Sequence, residues 1–221
     1  MLFAVSAADL RERRRRGYET ARPEVQALVP TSARSVLDLG CASGALGAAL
    51  KARQGARVVG VELDEQYARE AGEVLDEVVH GSAETAVRDP LGRFDCIVAA
   101  DVLEHLADPW SALGDAVAQL AGGGVVVVSV PNVRTLEALI EVGLKGRWPR
   151  VDQGLFDATH LRWFTLSDLR DLLEGAGLVI EHVEPRLFYG GWQLRVARVL
   201  ARTPLAELVT GQYVVRARKP A

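Results

Sequence analysis

"VLDLGCASGALGAAL", residues 36–50, decides the fold. Residues 36–39 read as a strand buried on both faces, and the turn carrying Gly40 and Gly44 runs into an alanine-rich helix. Such a unit commonly holds a nucleotide, because amide groups and the helix dipole at the helix N-terminus favour an anion. Asp38 speaks against that use. Two like charges about 4 Å apart cost roughly 4 kcal/mol at an effective dielectric near 20, so a carboxylate here repels a pyrophosphate. Ala42 also breaks a strict G-x-G. A nucleoside that brings positive charge in place of phosphate suits both the turn and its carboxylate.

Working outward, strand and helix alternate from residue 34. "RVVGVEL" (57–63) is a strand, followed by a helix from about Glu65 to Leu75, and "EVVHGS" (77–82) is a short strand. "FDCIVAADVL" (94–103) is the next strand. A helix then starts with Asp108 as N-cap and Pro109 at its first position, and the glycines at 122–124 are expected to stop it. "VVVVSVPN" (125–132) is apolar on both faces, as a central parallel strand is. The alternation predicts an α/β domain, a mostly parallel sheet with helices on both faces.

Residues 131–164 form a connection far longer than usual. Val133, Leu136, Ile140 and Leu144 recur at helical spacing there, so a helix lying over the end of the sheet is expected, as a substrate-capping insertion. Thr165 and Asp168 form a variant capping box for the following helix, which ends before Gly177. "LVIEHVEP" (178–185) and "QYVVRARK" (212–219) are the remaining strands. Between them, residues 192–209 with Arg195, Arg198 and Arg202 read either as a helix packed on the sheet edge or as a basic helix on a membrane surface.

The length of 221 residues and 49% hydrophobic content fit one domain, read as residues 31–221 behind an N-terminal helical lid over 1–30. A net charge of -3 gives no global pull toward nucleic acid. The run "RERRRR" from Arg11 to Arg16 reads as a solvated helix face, with an anion or nucleic-acid contact as the alternative. Two cysteines make neither a disulfide framework nor a zinc site. "MLFAVSAADL" lacks the basic start of a signal peptide, and no run reaches the roughly 20 apolar residues of a membrane span. The expectation is a cytoplasmic protein without stable membrane insertion, a monomer or a homodimer.

"VLDLGCASG" resembles the first motif of the class I S-adenosylmethionine-dependent methyltransferases, and three further motifs follow in order. "VVGVELDEQY" is similar to their second motif, whose acidic residue binds the ribose hydroxyls; the match is Glu62, 24 residues after Asp38. "HGSAET" resembles the adenine-holding turn, with Ser82 where the family commonly has Asp. "FDCIVAADVLEHLADPWSAL" is close to the fourth motif of the small-molecule branch. The resemblance implies a Rossmann-like seven-stranded sheet with an antiparallel last strand, and S-adenosylmethionine as cofactor. It implies cofactor contacts at Asp38, Gly40, Cys41, Ala42, Gly44, Glu62, Leu63, Ser82, Ala83, Asp101 and Val102. Tyr18 closes over the methionine end in the same analogy.

Methyl transfer to a hydroxyl needs alignment, exclusion of water and a positioned base. "DATHLRWFT" (157–165) resembles an element of methyltransferases that modify sugars and similar small molecules. His160 is the expected base, with Asp157 orienting its ring and His105 as the other candidate. Asn132, Arg162 and Trp163 are the expected acceptor contacts, for a sugar, glycoconjugate or other polar small molecule. Asp152, Asp157 and His160 match no recognised metal motif, so no metal is assigned. Four other readings stay open: an N- or C-methyltransferase on a quinone or lipid precursor, a non-catalytic cofactor-binding partner, a nicotinamide-dependent dehydrogenase and a nucleic-acid methyltransferase.

Overall fold

The protein is described by a computed structural model covering residues 19–221. Tyr18, the Arg11–Arg16 run and the first 18 residues of the expected lid lie outside the described residues. Among the described residues the strands are β1 Ser35–Leu39, β2 Arg57–Glu62, β3 Glu77–His80, β4 Phe94–Ala100, β5 Leu120–Pro131, β6 Val179–Arg186 and β7 Gln212–Arg218. They form one sheet in the order β3-β2-β1-β4-β5-β7-β6. Strands β1 to β5 pair in parallel, and β7 runs antiparallel between β5 and β6. The chain leaves β1 toward β2 on one side and later returns to β4 on the other. That reversal is the topological switch point, where an open α/β sheet has its ligand crevice.

The helices are α1 Pro23–Gln26, α2 Ala45–Gln54, α3 Glu65–Gly72, α4 Ala83–Ala86, α5 Pro109–Ala118, α6 Leu136–Ala138, α7 Leu166–Gly175, α8 Gly191–Leu200 and α9 Ala206–Val209. Alternation along the strands divides the core in two. Leu37, Val59 and Ile97 pack with Leu113 of α5 and Leu169 of α7. Val36, Val58 and Val98 pack on the other face with Val25 of α1, Leu50 of α2 and Ala71 of α3. Both faces are therefore covered, as the unbroken apolar strands require. Val29, within the expected lid, and Ala33 beyond it join the second cluster.

Helix boundaries follow local chemistry. Asp108 accepts a hydrogen bond from the Ser111 amide at 3.1 Å and Pro109 opens α5. The Thr165 hydroxyl accepts from the Asp168 amide while the Asp168 carboxylate accepts from the Thr165 amide at 2.9 Å, a complete capping box. Two expectations need correction. The glycines at 122–124 do not end α5, which stops at Ala118; they lie in the irregular opening of β5, where the register with β4 shifts between Phe94 and Cys96. The stripe over 133–144 is not a packed α-helix either. After α6 the chain winds into a π-helical turn, Leu139–Leu144. Leu136 of α6 and Leu139, Val142 and Leu144 of the turn are exposed, and only Ala138 of the two elements is buried.

Candidate active site

At the end of β1, Gly40 has φ +66°, and a Cβ on it would come 2.5 Å from Val102 Cγ2. Only a residue without a side chain lets the β1 and β4 turns meet there. Gly47 of α2 performs a related service, since a Cβ would meet Val58 of β2 at 2.9 Å. Ala42, which replaces a glycine of a stricter motif, is held at φ +45°. Its amide donates to Glu62 Oε2 at 2.8 Å, and the Asp64 amide donates to Glu62 Oε1 at 2.8 Å. Glu62 thus braces the turn from the end of β2. Each carboxylate oxygen keeps a second lone pair, the requirement for receiving two vicinal hydroxyls.

Asp38 is 2% exposed, and its Oδ2 has no hydrogen-bond partner. Burial, then the Glu62 charge, push its pKa up to about 7, while Arg22 pulls the other way. A buried carboxylate in this state gains from a cationic ligand group beside it.

The β4 turn is built around Asp101, a non-glycine residue at φ +58°. Its Oδ1 accepts from Ser129 at 2.7 Å and from Gln212 at 2.6 Å, and its Oδ2 pairs with Arg22 at 2.9 Å. Arg22 also donates to Glu24 at 2.7 Å and Ser129 at 3.1 Å. Asp101 therefore ties the N-terminal segment to β5 and β7. Nothing in the spacing announced Arg22, Ser129 or Gln212, because they converge only in the fold.

Beyond this turn the two expected base candidates meet. The His105 and His160 rings lie edge to face with centroids 4.8 Å apart. The Leu161 and Arg162 amides donate to the Glu104 carbonyl at 2.8 and 3.0 Å, which brings the 157–165 loop to the β4 turn. The expected Asp157–His160 pairing is corrected. His160 Nδ1 faces the Leu155 carbonyl at 3.1 Å. Asp157 instead accepts from the Thr159 amide and, at 2.6 Å, from its hydroxyl, and that hydroxyl lies 3.1 Å from His105 Nδ1. Asp157 thus orients His105 through Thr159. Burial and then the neighbouring His160 lower the pKa of His105, which favours the neutral ring.

A cavity of about 580 Å³ joins these parts. Of the expected residues it is lined by Asp38, Gly40, Cys41, Ala42, Asp101, His105, Asp157 and His160. Gly44, Glu62, Leu63, Ser82, Ala83 and Val102 stand outside that lining. Among them, Ser82 caps α4 by accepting from the Glu84 amide, and the Leu63 carbonyl faces His80 Nε2 at 3.1 Å. The three expected acceptor contacts also stay out of the cavity. The Asn132 amide donates to the Glu207 and Thr210 carbonyls, each at 2.8 Å. Arg162 donates to the Leu161 and Ala107 carbonyls, and Trp163 packs edge-on against Trp148. Glu104, Thr135 and Phe188 line the cavity instead, and only Glu104 lay within a motif the sequence singled out.

Sheet order, glycine turn, the carboxylates Asp38 and Glu62 and the cavity define a Rossmann-like fold with a ligand site at its switch point. Residues 10–183 match the family described as "Methyltransferase domain", and the chain belongs to it. It is 34% identical over 187 residues to a ubiquinone biosynthesis O-methyltransferase of Xylella fastidiosa, spanning 80% of this chain and 73% of that protein. It is 26% identical over 213 residues to the protein of the same description in Psychrobacter arcticus, spanning 92% and 79%. Among solved structures, a SAM-dependent methyltransferase of Thermotoga maritima shares the fold, with a TM-score of 0.65, 22% identity and 96% of each chain covered. The cofactor is S-adenosylmethionine. The site fits it: an orphaned buried carboxylate oxygen at Asp38 for a cationic group, free lone pairs on Glu62 for ribose hydroxyls, and a turn that a Cβ at Gly40 would obstruct.

Proposed function

We propose that this methyltransferase acts on a hydroxyl of an apolar, quinone-precursor type of acceptor, rather than on a sugar. The observation that carries the reading is an exposed aromatic ring in the cavity wall. Phe188 lines the cavity yet is 67% exposed, and Leu46, Pro131 and Leu155 add apolar surface to the same wall. An aromatic ring left exposed in a pocket wall marks a surface that can receive an apolar ligand. The names of the two curated relatives support the same acceptor class. Asn132 and Arg162, the expected contacts to a sugar, direct their donors to backbone carbonyls.

Bound S-adenosylmethionine supplies a methyl group on a positively charged sulfur that departs as a neutral sulfide. Asp38 and Glu62 would hold the donor, and the cavity wall would align the acceptor oxygen with it. The acceptor O–H proton leaves toward the paired histidines. With Nδ1 of each ring facing a backbone carbonyl or the Thr159 hydroxyl, Nε2 is the proton-accepting atom.

The test is release of S-adenosylhomocysteine with a panel of prenylated phenols and of nucleotide sugars. Turnover of the phenols and none of the sugars is expected; turnover confined to sugars refutes the reading. His160→Ala and His105→Ala separate it from N-methylation, since an amine loses its proton without a strong base. Loss of phenol turnover in both variants is expected.

A further inference from the structure

Glu104 is the most unusual side chain in the cavity wall. It is 1% exposed, and neither carboxylate oxygen has a hydrogen-bond partner. Arg22, the nearby cation, donates to Glu24, Asp101 and Ser129 and makes no hydrogen bond to Glu104. Leaving a buried carboxylate unpaired costs several kcal/mol unless a charge meets it. The groups that do face it are two imidazoles. One ligand atom from each of Glu104, His105 and His160 lies within 4.8 Å of the others.

The hydrogen bonds around the cluster leave one nitrogen of each ring available. His105 Nδ1 sits 3.1 Å from the Thr159 hydroxyl and 3.3 Å from its carbonyl, and that hydroxyl donates to Asp157. His160 Nδ1 sits 3.1 Å from the Leu155 carbonyl. An imidazole that donates one N–H to a carbonyl or to a group fixed by a carboxylate turns its other nitrogen outward as a lone pair. That is the outer support metal-bound histidines have. Two imidazoles and one carboxylate, with open cavity on the remaining side, form the donor set that holds a divalent transition ion and leaves positions for a substrate.

We infer that Glu104, His105 and His160 form a divalent transition-metal site whose open positions face the acceptor. Ligand distances of roughly 2.0–2.2 Å ask the three atoms to draw together slightly on loading. The cluster is prepared for this, because the two Glu104 carbonyl bonds fix His160 against the β4 turn. The inference rests on the proposed hydroxyl acceptor and refines it. An acceptor oxygen on the ion has its O–H pKa lowered, so the proton departs to solvent water while the oxygen keeps the electron pair. In the metal-loaded chain the histidines then act as ligands, and the base role of Nε2 belongs to the metal-free chain.

The full chain, stripped with chelator and dialysed, is titrated with Mn²⁺ while the paramagnetic resonance signal of free Mn²⁺ is followed, with Zn²⁺ and Co²⁺ as competitors. S-adenosylhomocysteine binding is measured on the same samples. The expected result is one Mn²⁺ per chain, displaced by Zn²⁺. Glu104→Gln is expected to weaken binding beyond the roughly 10–100-fold that loss of an outer support brings, and Thr159→Val within that range. His160→Ala replaces Glu104→Gln if the latter does not fold. Retained affinity in the ligand variant, or no binding by the wild type up to about 1 mM, overturns the inference. If S-adenosylhomocysteine still binds in that case, the metal site alone falls and the methyltransferase reading stands.

Discussion

Asp38→Asn removes the one carboxylate that the fold buries at the end of β1 without a partner for Oδ2. In the folded protein its pKa stands at about 7, against an ordinary 3.8. Between these values the folded chain binds more protons than the unfolded one, so stability falls as pH rises. This contribution is intact below 3.8 and is lost by about pH 7. At 1.4 kcal/mol per unit, the full span is worth about 4 kcal/mol, and the part between pH 5 and pH 8 about 3 kcal/mol. Asparagine keeps the size and has no charge to bury. Urea unfolding of both proteins without cofactor at pH 5, 6, 7 and 8 reads the difference. The variant is expected to gain about 3 kcal/mol relative to wild type across that range, or roughly 6–12 °C in Tm. Cofactor affinity behaves in the opposite sense. Wild-type binding is expected to weaken by about tenfold per unit below pH 7, because the ligand's cation wants the ionised form. In Asp38→Asn it is weak at every pH. Parallel pH profiles for the two proteins would refute the argument.

Three further outcomes are expected. Gly40→Ala forces a Cβ to 2.5 Å from Val102 at φ +66°, so it costs about 1–3 kcal/mol of stability and suppresses cofactor binding, by thermal unfolding and titration. Thr165→Ala breaks the α7 capping box and costs about 1 kcal/mol in urea unfolding while cofactor affinity stays unchanged. Phe188→Ser removes apolar surface from the cavity mouth and raises KM for a prenylated phenol by about tenfold, with no change in cofactor affinity.

What the sequence disclosed was local. The apolar run at 125–130 and the N-caps Asp108 and Thr165 each depend on residues a few positions apart. Asp38 was legible because a charge in a buried strand has few explanations. The missing parts depend on convergence. Arg22 reaches Asp101 across 79 positions, and Asn132 reaches the Thr210 carbonyl across 78. No spacing rule reports which polar side chain the backbone will claim. The Asp157 pairing failed for a similar reason: Thr159, two residues on, offers both an amide and a hydroxyl to that carboxylate and leaves His160 to the Leu155 carbonyl. The stripe over 133–144 has helical spacing, yet spacing does not say whether an apolar face meets a core or a ligand.

The most direct test of the central claim is calorimetric titration of S-adenosylmethionine and S-adenosylhomocysteine into the wild type and Glu62→Ala. The account calls for micromolar binding of both, weakened in the variant by about 1.5–3 kcal/mol, the value of hydrogen bonds to a charged group. No binding to the folded wild type, or equal binding by the variant, would contradict the placement of the cofactor between Asp38 and Glu62.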